Sequence, residues 1–204
     1  MAAEPILSDV GLGLAVVAGF LLTFAFEPFG QFWIAPLCYA TLFYVWRDAD
    51  PWRAFKLGYA FGIAAFLGGI HWVYISVHDF GPAPVPFALI TTLVLVSILA
   101  LFPALAGSVA ARFSKTDGSA VWLGVYPAVW VLAEWMRGWV FSGFGWLSAG
   151  YSQTDSWIMA FAPLGGVHLM GWAVLLTAGA VVMFVRGSTV ERGVAAAFAV
   201  SIWV

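Results

Sequence analysis

The chemistry-bearing residues of this chain collect in one stretch, Glu134 to Gln153, reading EWMRGWVFSGFGWLSAGYSQ. It holds an acid, an arginine, Trp135, Trp139 and Trp146, Tyr151, Gln153 and four glycines within twenty residues. Elsewhere the chain is apolar and almost free of charge. Charge and irregular backbone are costly at membrane depth, so their concentration marks a site. Glu134 and Arg137 stand three apart, share a helix face and can pair. An arginine held by a glutamate binds a phosphate or carboxylate; the same two residues also make sense as a plain ion pair at an interface. The glycines at 138, 143, 145 and 150 recur too closely for one continuous helix. A re-entrant or interfacial loop is expected there, with Trp139, Trp146 and Tyr151 at headgroup level.

A second group is HWVYISVHDFG, His71 to Gly81. His71, Trp72, Tyr74 and His78 lie near one membrane interface, where an aromatic belt is the simplest role and a proton relay the alternative. His168, alone in the sixth span, reads as a hydrogen-bonded packing residue. Cys38 is the only cysteine and lies in an apolar run, which excludes a disulfide framework and a zinc cluster. No GxSxG elbow, HExxH or P-loop occurs. No metal or cofactor is expected.

The elements that position these residues are membrane helices. Hydrophobic residues make up 63% of the chain and charged ones 9%, against about 25% charged in soluble domains. The fold class is therefore an all-α polytopic membrane helix bundle. A span needs about 20 apolar residues, with about 17–25 tolerated. Seven are expected, near residues 10–26, 32–46, 54–77, 85–111, 119–139, 157–185 and 193–204, the last cut short within a helix. The N-terminus lacks a basic n-region and a cleavage site, so the first span reads as permanent. Gly58 and Gly62 form a GxxxG, and Gly11, Ala15 and Gly19 repeat small residues four apart, both packing signals. Pro103 and Pro127 are expected to kink their helices or free a carbonyl.

Basic residues give the orientation. Arg47, Arg53 and Lys56 follow span two, Arg112 and Lys115 follow span four, and Arg186 and Arg192 follow span six. Alternate loops thus carry all but Arg137, which makes their side and the N-terminus cytoplasmic. Glu27, Ser76, His78, Asp79, Glu134, Arg137, Tyr151, Gln153 and Asp155 then map to the outer side. His71 lies about 25 Å from the inner end of its span, at ~1.5 Å per residue, also in the outer half. Any site opens outward. The small net charge of −2 gives no reason to expect a nucleic-acid partner.

The segments FAFEPFGQFWIAP (Phe24–Pro36), HWVYISVHDFG, EWMRGWVFSGFGWLSAGYSQ and APLGGVHLMG (Ala162–Gly171) together resemble the membrane domain of bacterial apolipoprotein N-acyltransferases. The resemblance runs in order along essentially the whole chain. One departure is Gly143-Phe144-Gly145-Trp146, where the family usually reads GFPW. The resemblance implies a bacterial inner-membrane enzyme with its active side in the periplasm. Such an enzyme moves an acyl chain from a phospholipid to the α-amine of a diacylglyceryl-modified apolipoprotein. It also implies a periplasmic nitrilase-like domain after Val204 that supplies a Glu base, an oxyanion-stabilising Lys and a Cys nucleophile. None of those three residues matches a position here, and Cys38 lies on the opposite side, so no catalytic residue is assigned and the 204 residues alone are expected to be inactive. Trp72, Tyr74, Glu134, Arg137, Trp146, Tyr151 and Gln153 are expected to form an outward rim that holds phospholipid. The rival reading is a stand-alone transporter or lipid-translocating bundle. The sequence carries no signal for oligomeric state, and a monomer is the default expectation.

Overall fold

The computed structural model describes residues 4–113 and 118–203. Met1–Ala3, Lys115 and Val204 lie outside the described residues. Every regular element among the described residues is helical. Helix α1 (Glu4–Leu22) ends in a 3-10 turn, and an irregular stretch leads to α2 (Ile34–Trp46). Helix α3 (Pro51–Gly69) starts at Asp50, whose Oδ1 accepts from the backbone N–H of Trp52 at 2.8 Å and of Arg53 at 3.1 Å. A carboxylate N-cap followed by proline is a strong helix start. The Arg53 and Trp52 amides hold this carboxyl below its usual range.

After Gly69 the chain bends by 52° into α4 (Trp72–Ile75) and a π-helical turn, Ser76–Phe80. The continuous helix expected over 54–77 is thus broken, because the Gly68-Gly69 pair weakens it where a neighbouring loop presses in. Helix α5 (Val85–Phe113) runs unbroken through Pro103. Helix α6 (Tyr126–Arg137) follows a π-helical turn, with Pro127 in its first turn where the missing N–H costs least. No α-helix forms between Arg137 and Ala162. That stretch is three short 3-10 turns, Val140–Ser142, Ala149–Gln153 and Trp157–Phe161. Helices α7 (Ala162–Arg186) and α8 (Thr189–Trp203) complete the bundle.

The seven expected segments differ in their ability to cross a bilayer. Val85–Phe113 and Trp157–Arg186 are each long and apolar enough, and the bent pair Pro51–Gly69 with Trp72–Phe80 has the length and composition of either a broken span or a re-entrant loop. Val10–Ala25 and Ile34–Trp46 are apolar but shorter.

Packing follows the small residues. A Cβ on Gly58 would lie 2.4 Å from Pro103 O, and one on Gly62 would lie 2.9 Å from Ala100 Cα, so α3 and α5 touch backbone to backbone. An aromatic cluster fills the centre. Tyr39 and Trp46 of α2 lie 5.0 and 6.0 Å from the Trp130 ring, Phe61 of α3 lies 5.9 Å from it, and Phe43 is 5.1 Å from Tyr126. Cys38 is buried in this layer as a packing thiol. The outward faces of α1 and α5 expose Val17, Phe20, Phe87, Ile90 and Leu93, the surface a lipid-facing helix requires.

Replacing Gly62 with Val in the bundle overpacks the α3–α5 contact and should cost about 1–3 kcal/mol. Gly13→Ala, at a position with nothing within 4 Å, is the control and should leave the melting temperature of the detergent-solubilised protein unchanged or slightly raised.

Candidate functional site

The loop after α6 is held by two charges that the bundle buries. Glu134 is 4% exposed and Arg137 is 3% exposed. Glu134 Oε1 accepts from Trp130 Nε1–H at 2.8 Å and from the Ala149 backbone N–H at 2.9 Å. The Arg137 guanidinium donates through Nη1 to Phe144 O at 2.7 Å and to Trp146 O, and through Nη2 to Ser148 Oγ at 3.1 Å. It also lies 5.3 Å from the Phe66 ring centroid. The direct pairing that their spacing allows is not made: no hydrogen bond or ion pair joins the two among the described residues. The carbonyls of 144 and 146 converge on the guanidinium instead, and Ala149 takes the carboxyl.

Gln153 is fully buried and extends the same network. Its Nε2 donates to Phe32 O at 3.1 Å and to Ser152 Oγ at 2.8 Å, and its Oε1 accepts from Ser156 Oγ at 2.8 Å. These bonds fix a backbone that is otherwise unfavourable. Phe141, Ser142 and Leu147 all have positive φ, at 54°, 74° and 58°, a conformation costing about 1–3 kcal/mol for residues with a side chain.

The loop forms one wall of a groove of about 860 Å³. Gly145, Trp146, Leu147, Tyr151 and Thr154 line that wall. The segment after α1 supplies Thr23, Phe26, Glu27, Pro28 and Phe29, and the bend after α3 supplies Gly68, Gly69, His71 and Trp72. The Trp72 and Trp146 rings pack against each other on its wall, tilted by 54° and 5.3 Å apart between centroids. Gly69 makes room here: a Cβ would clash with the Leu147 side chain, so a larger residue would have to displace that leucine. His71 Nδ1 lies 2.8 Å from Gly68 O. A carbonyl only accepts, so Nδ1 is the donor in this contact.

The expected site residues therefore divide. Trp72, Trp146 and Tyr151 line the groove. Tyr74 sits two residues beyond Trp72 and outside the lining, stacked on His78 at 5.5 Å, whose Nδ1 is 2.7 Å from Ala83 O. Glu134, Arg137 and Gln153 stand behind the loop, where they hold it. Sequence reasoning does not single out Thr23, Glu27 or Phe29 as site residues, and it gives His71 an aromatic belt or a proton relay rather than a place in the lipid-holding rim. Glu27 and His71 had been mapped to the outer half, but only the α3 bend and the turn after α1 bring them to one cavity. The groove is mostly apolar, with a carboxylate, an imidazole and indole, phenol and hydroxyl groups at its walls. Such a lining takes a largely apolar ligand with a polar end.

Comparison with known proteins is consistent with this architecture. The apolipoprotein N-acyltransferase N-terminal domain matches residues 18–180. A relative named apolipoprotein N-acyltransferase from Methylococcus capsulatus is 46% identical over 166 residues, covering 81% of this chain and 33% of the relative. Relatives of the same name from Chromobacterium violaceum and Coxiella burnetii are 44% and 39% identical, covering 87% and 88% of this chain and 34% and 37% of theirs. The chain thus spans about a third of the length of these relatives. With residues 18–180 matched by that domain and relatives 39–46% identical over more than four-fifths of its length, the chain belongs to the apolipoprotein N-acyltransferase family, within that family's N-terminal domain.

Proposed function

We propose that these residues form the lipid-holding membrane platform of an enzyme that transfers an acyl chain from a phospholipid to the α-amine of the N-terminal diacylglyceryl-cysteine of bacterial lipoproteins. The observation that carries this reading is the groove of about 860 Å³ walled by Trp72, Trp146, Tyr151 and Phe29. Both substrates are anchored in a bilayer, and lifting an acyl chain into water costs about 0.8 kcal/mol per CH₂. A platform that receives the chain laterally avoids that cost while its polar edge presents the headgroup region. The transfer itself is assigned to a periplasmic nitrilase-like domain following Val204, with its own Glu, Lys and Cys, as the resemblance implies. The chain supplies binding and orientation, and alone it is inactive.

In this reading Trp72, Trp146 and Tyr151 touch lipid, Tyr74 flanks them, and Glu134, Arg137 and Gln153 act through the loop. Seven helices cross the bacterial inner membrane. The N-terminus and the Arg47, Arg53, Arg112, Arg186 and Arg192 loops are cytoplasmic, and the groove faces the periplasm. The transporter alternative gains no support from family membership.

Three measurements test this proposal. In the full-length enzyme, Trp146→Ala should raise the phospholipid KM about tenfold, equivalent to ~1.4 kcal/mol; an unchanged KM and unchanged lipoprotein N-acylation would sink the groove assignment. Arg137→Ala leaves three acceptors of the loop without their cation. It should lower stability by about 3–5 kcal/mol and abolish N-acylation, and Arg137→Lys should not rescue it, since an ammonium lacks the planar fork. For orientation, in a Cys38→Ala background of the intact protein, Ser142→Cys should react with an impermeant maleimide added outside the inner membrane. Ser188→Cys should react only after permeabilisation; the reverse pattern rejects the topology.

A further inference from the structure

Behind the groove lies a second cavity of about 20 Å³, lined by residues of α1, α2, α3, α5, α6 and the loop. Leu22, Phe61, Phe66, Phe102 and Leu147 make its walls largely apolar. Three polar side chains nevertheless reach it: Tyr39 from α2, and Glu134 and Arg137 from α6. Tyr39 is 0% exposed and its hydroxyl has no hydrogen-bond partner. Glu134 Oε2 has none either, although Oε1 of the same carboxyl accepts two.

Two of the residues that line this small cavity each carry an unpaired buried polar atom. Each buried polar atom left unsatisfied costs about 1–3 kcal/mol, and a phenol O–H is a donor while a carboxyl oxygen is an acceptor. A void of about 20 Å³ has room for one water, and water remains in a buried void when two to four polar groups hold it. A dry cavity would leave both atoms orphaned.

We propose that this cavity is a water-binding site, in which one water accepts the Tyr39 O–H and donates to Glu134 Oε2. Arg137, on the same cavity, supplies the positive charge that keeps the carboxyl oxygen a good acceptor. The water ties α2 to the carboxyl whose other oxygen holds the Ala149 amide. Tyr39 is thereby a positioning residue for the loop that carries Trp146 and Tyr151, although it touches neither. It acts from the helix bundle through a water and Glu134, a link that neither the groove nor the loop's own hydrogen bonds supply.

The test is a structure of the full-length protein in a lipid nanodisc at a resolution that shows ordered water. The expected result is one water within hydrogen-bond reach of both Tyr39 Oη and Glu134 Oε2; an empty cavity, or a direct Tyr39–Glu134 bond, overturns the proposal. In Tyr39→Phe the water should be lost and the melting temperature should fall by about 2–4 °C; a water retained in that variant overturns it. Glu134→Gln should lower the melting temperature less in the Tyr39→Phe background than alone, because both changes break one bridge; strictly additive shifts overturn it. If Glu134→Gln does not accumulate, the Tyr39→Phe structure decides. A positioning role further requires that Tyr39→Phe raise the phospholipid KM about threefold with kcat kept; equal losses in both reject that role. This last readout rests on the proposed function, whereas the water and the thermal cycle do not, so failure of one is distinguishable from failure of the other.

Discussion

Burying a carboxyl and a guanidinium inside an apolar bundle is the constraint on which the site depends. A charge removed from water must find hydrogen-bond partners within the protein, or the fold loses several kcal/mol. Helices α1, α2, α3 and α5 around Glu134 and Arg137 offer almost none, since their backbone groups are used within each helix. The loop after α6 is the available source. Its carbonyls at 144 and 146, its amide at 149 and the Ser148 hydroxyl turn inward to meet the two charges. That inward turn gives the loop its unusual backbone, with three non-glycine residues at positive φ.

The groove follows from the same demand. Once the loop is drawn onto α6, Trp146, Leu147 and Tyr151 face the bend at the end of α3, where Gly69 leaves space for Leu147 and Trp72 meets Trp146. Gln153 fixes the far end of the loop to the start of α2 through Phe32. The aromatic wall is therefore held from behind by buried polar bonds while its front stays open. An opening of this kind suits a ligand whose apolar part slides in from the bilayer and whose polar part stays at the rim. It also separates two roles that a list of polar residues merges: side chains that meet the ligand, and side chains that make the wall rigid.

The transferase chemistry that the family name implies needs a nucleophile and a base, and neither the groove nor the bundle core has a thiol placed for it; Cys38 is buried in the helix packing. The chain spans about a third of the length of its relatives. The proposed lipid platform has a physical basis, since acyl chains are best handled where they already dissolve.

Composition and hydrophobic runs alone determined that this is an all-helical membrane chain, because 63% hydrophobic residues with 9% charge leave a soluble core no way to hide its surface. The clustering of glycines with charge at 134–153 likewise marked a non-helical loop, and GxxxG marked a close helix contact without naming its partner, since both depend on local backbone chemistry. Tertiary structure alone decided three further points. The break after Gly69 was hidden in a long apolar run, because what packs against Gly69 is a leucine from a loop 78 residues away. The pairing of Glu134 and Arg137 looked like a matter of helical spacing, yet the loop offered each a better partner. Glu27 and His71 are 44 positions apart, and no periodicity connects them until the bundle brings the turn after α1 against the bend after α3. Sequence fixes which residues must leave water; only the assembled neighbours decide what they meet when they do.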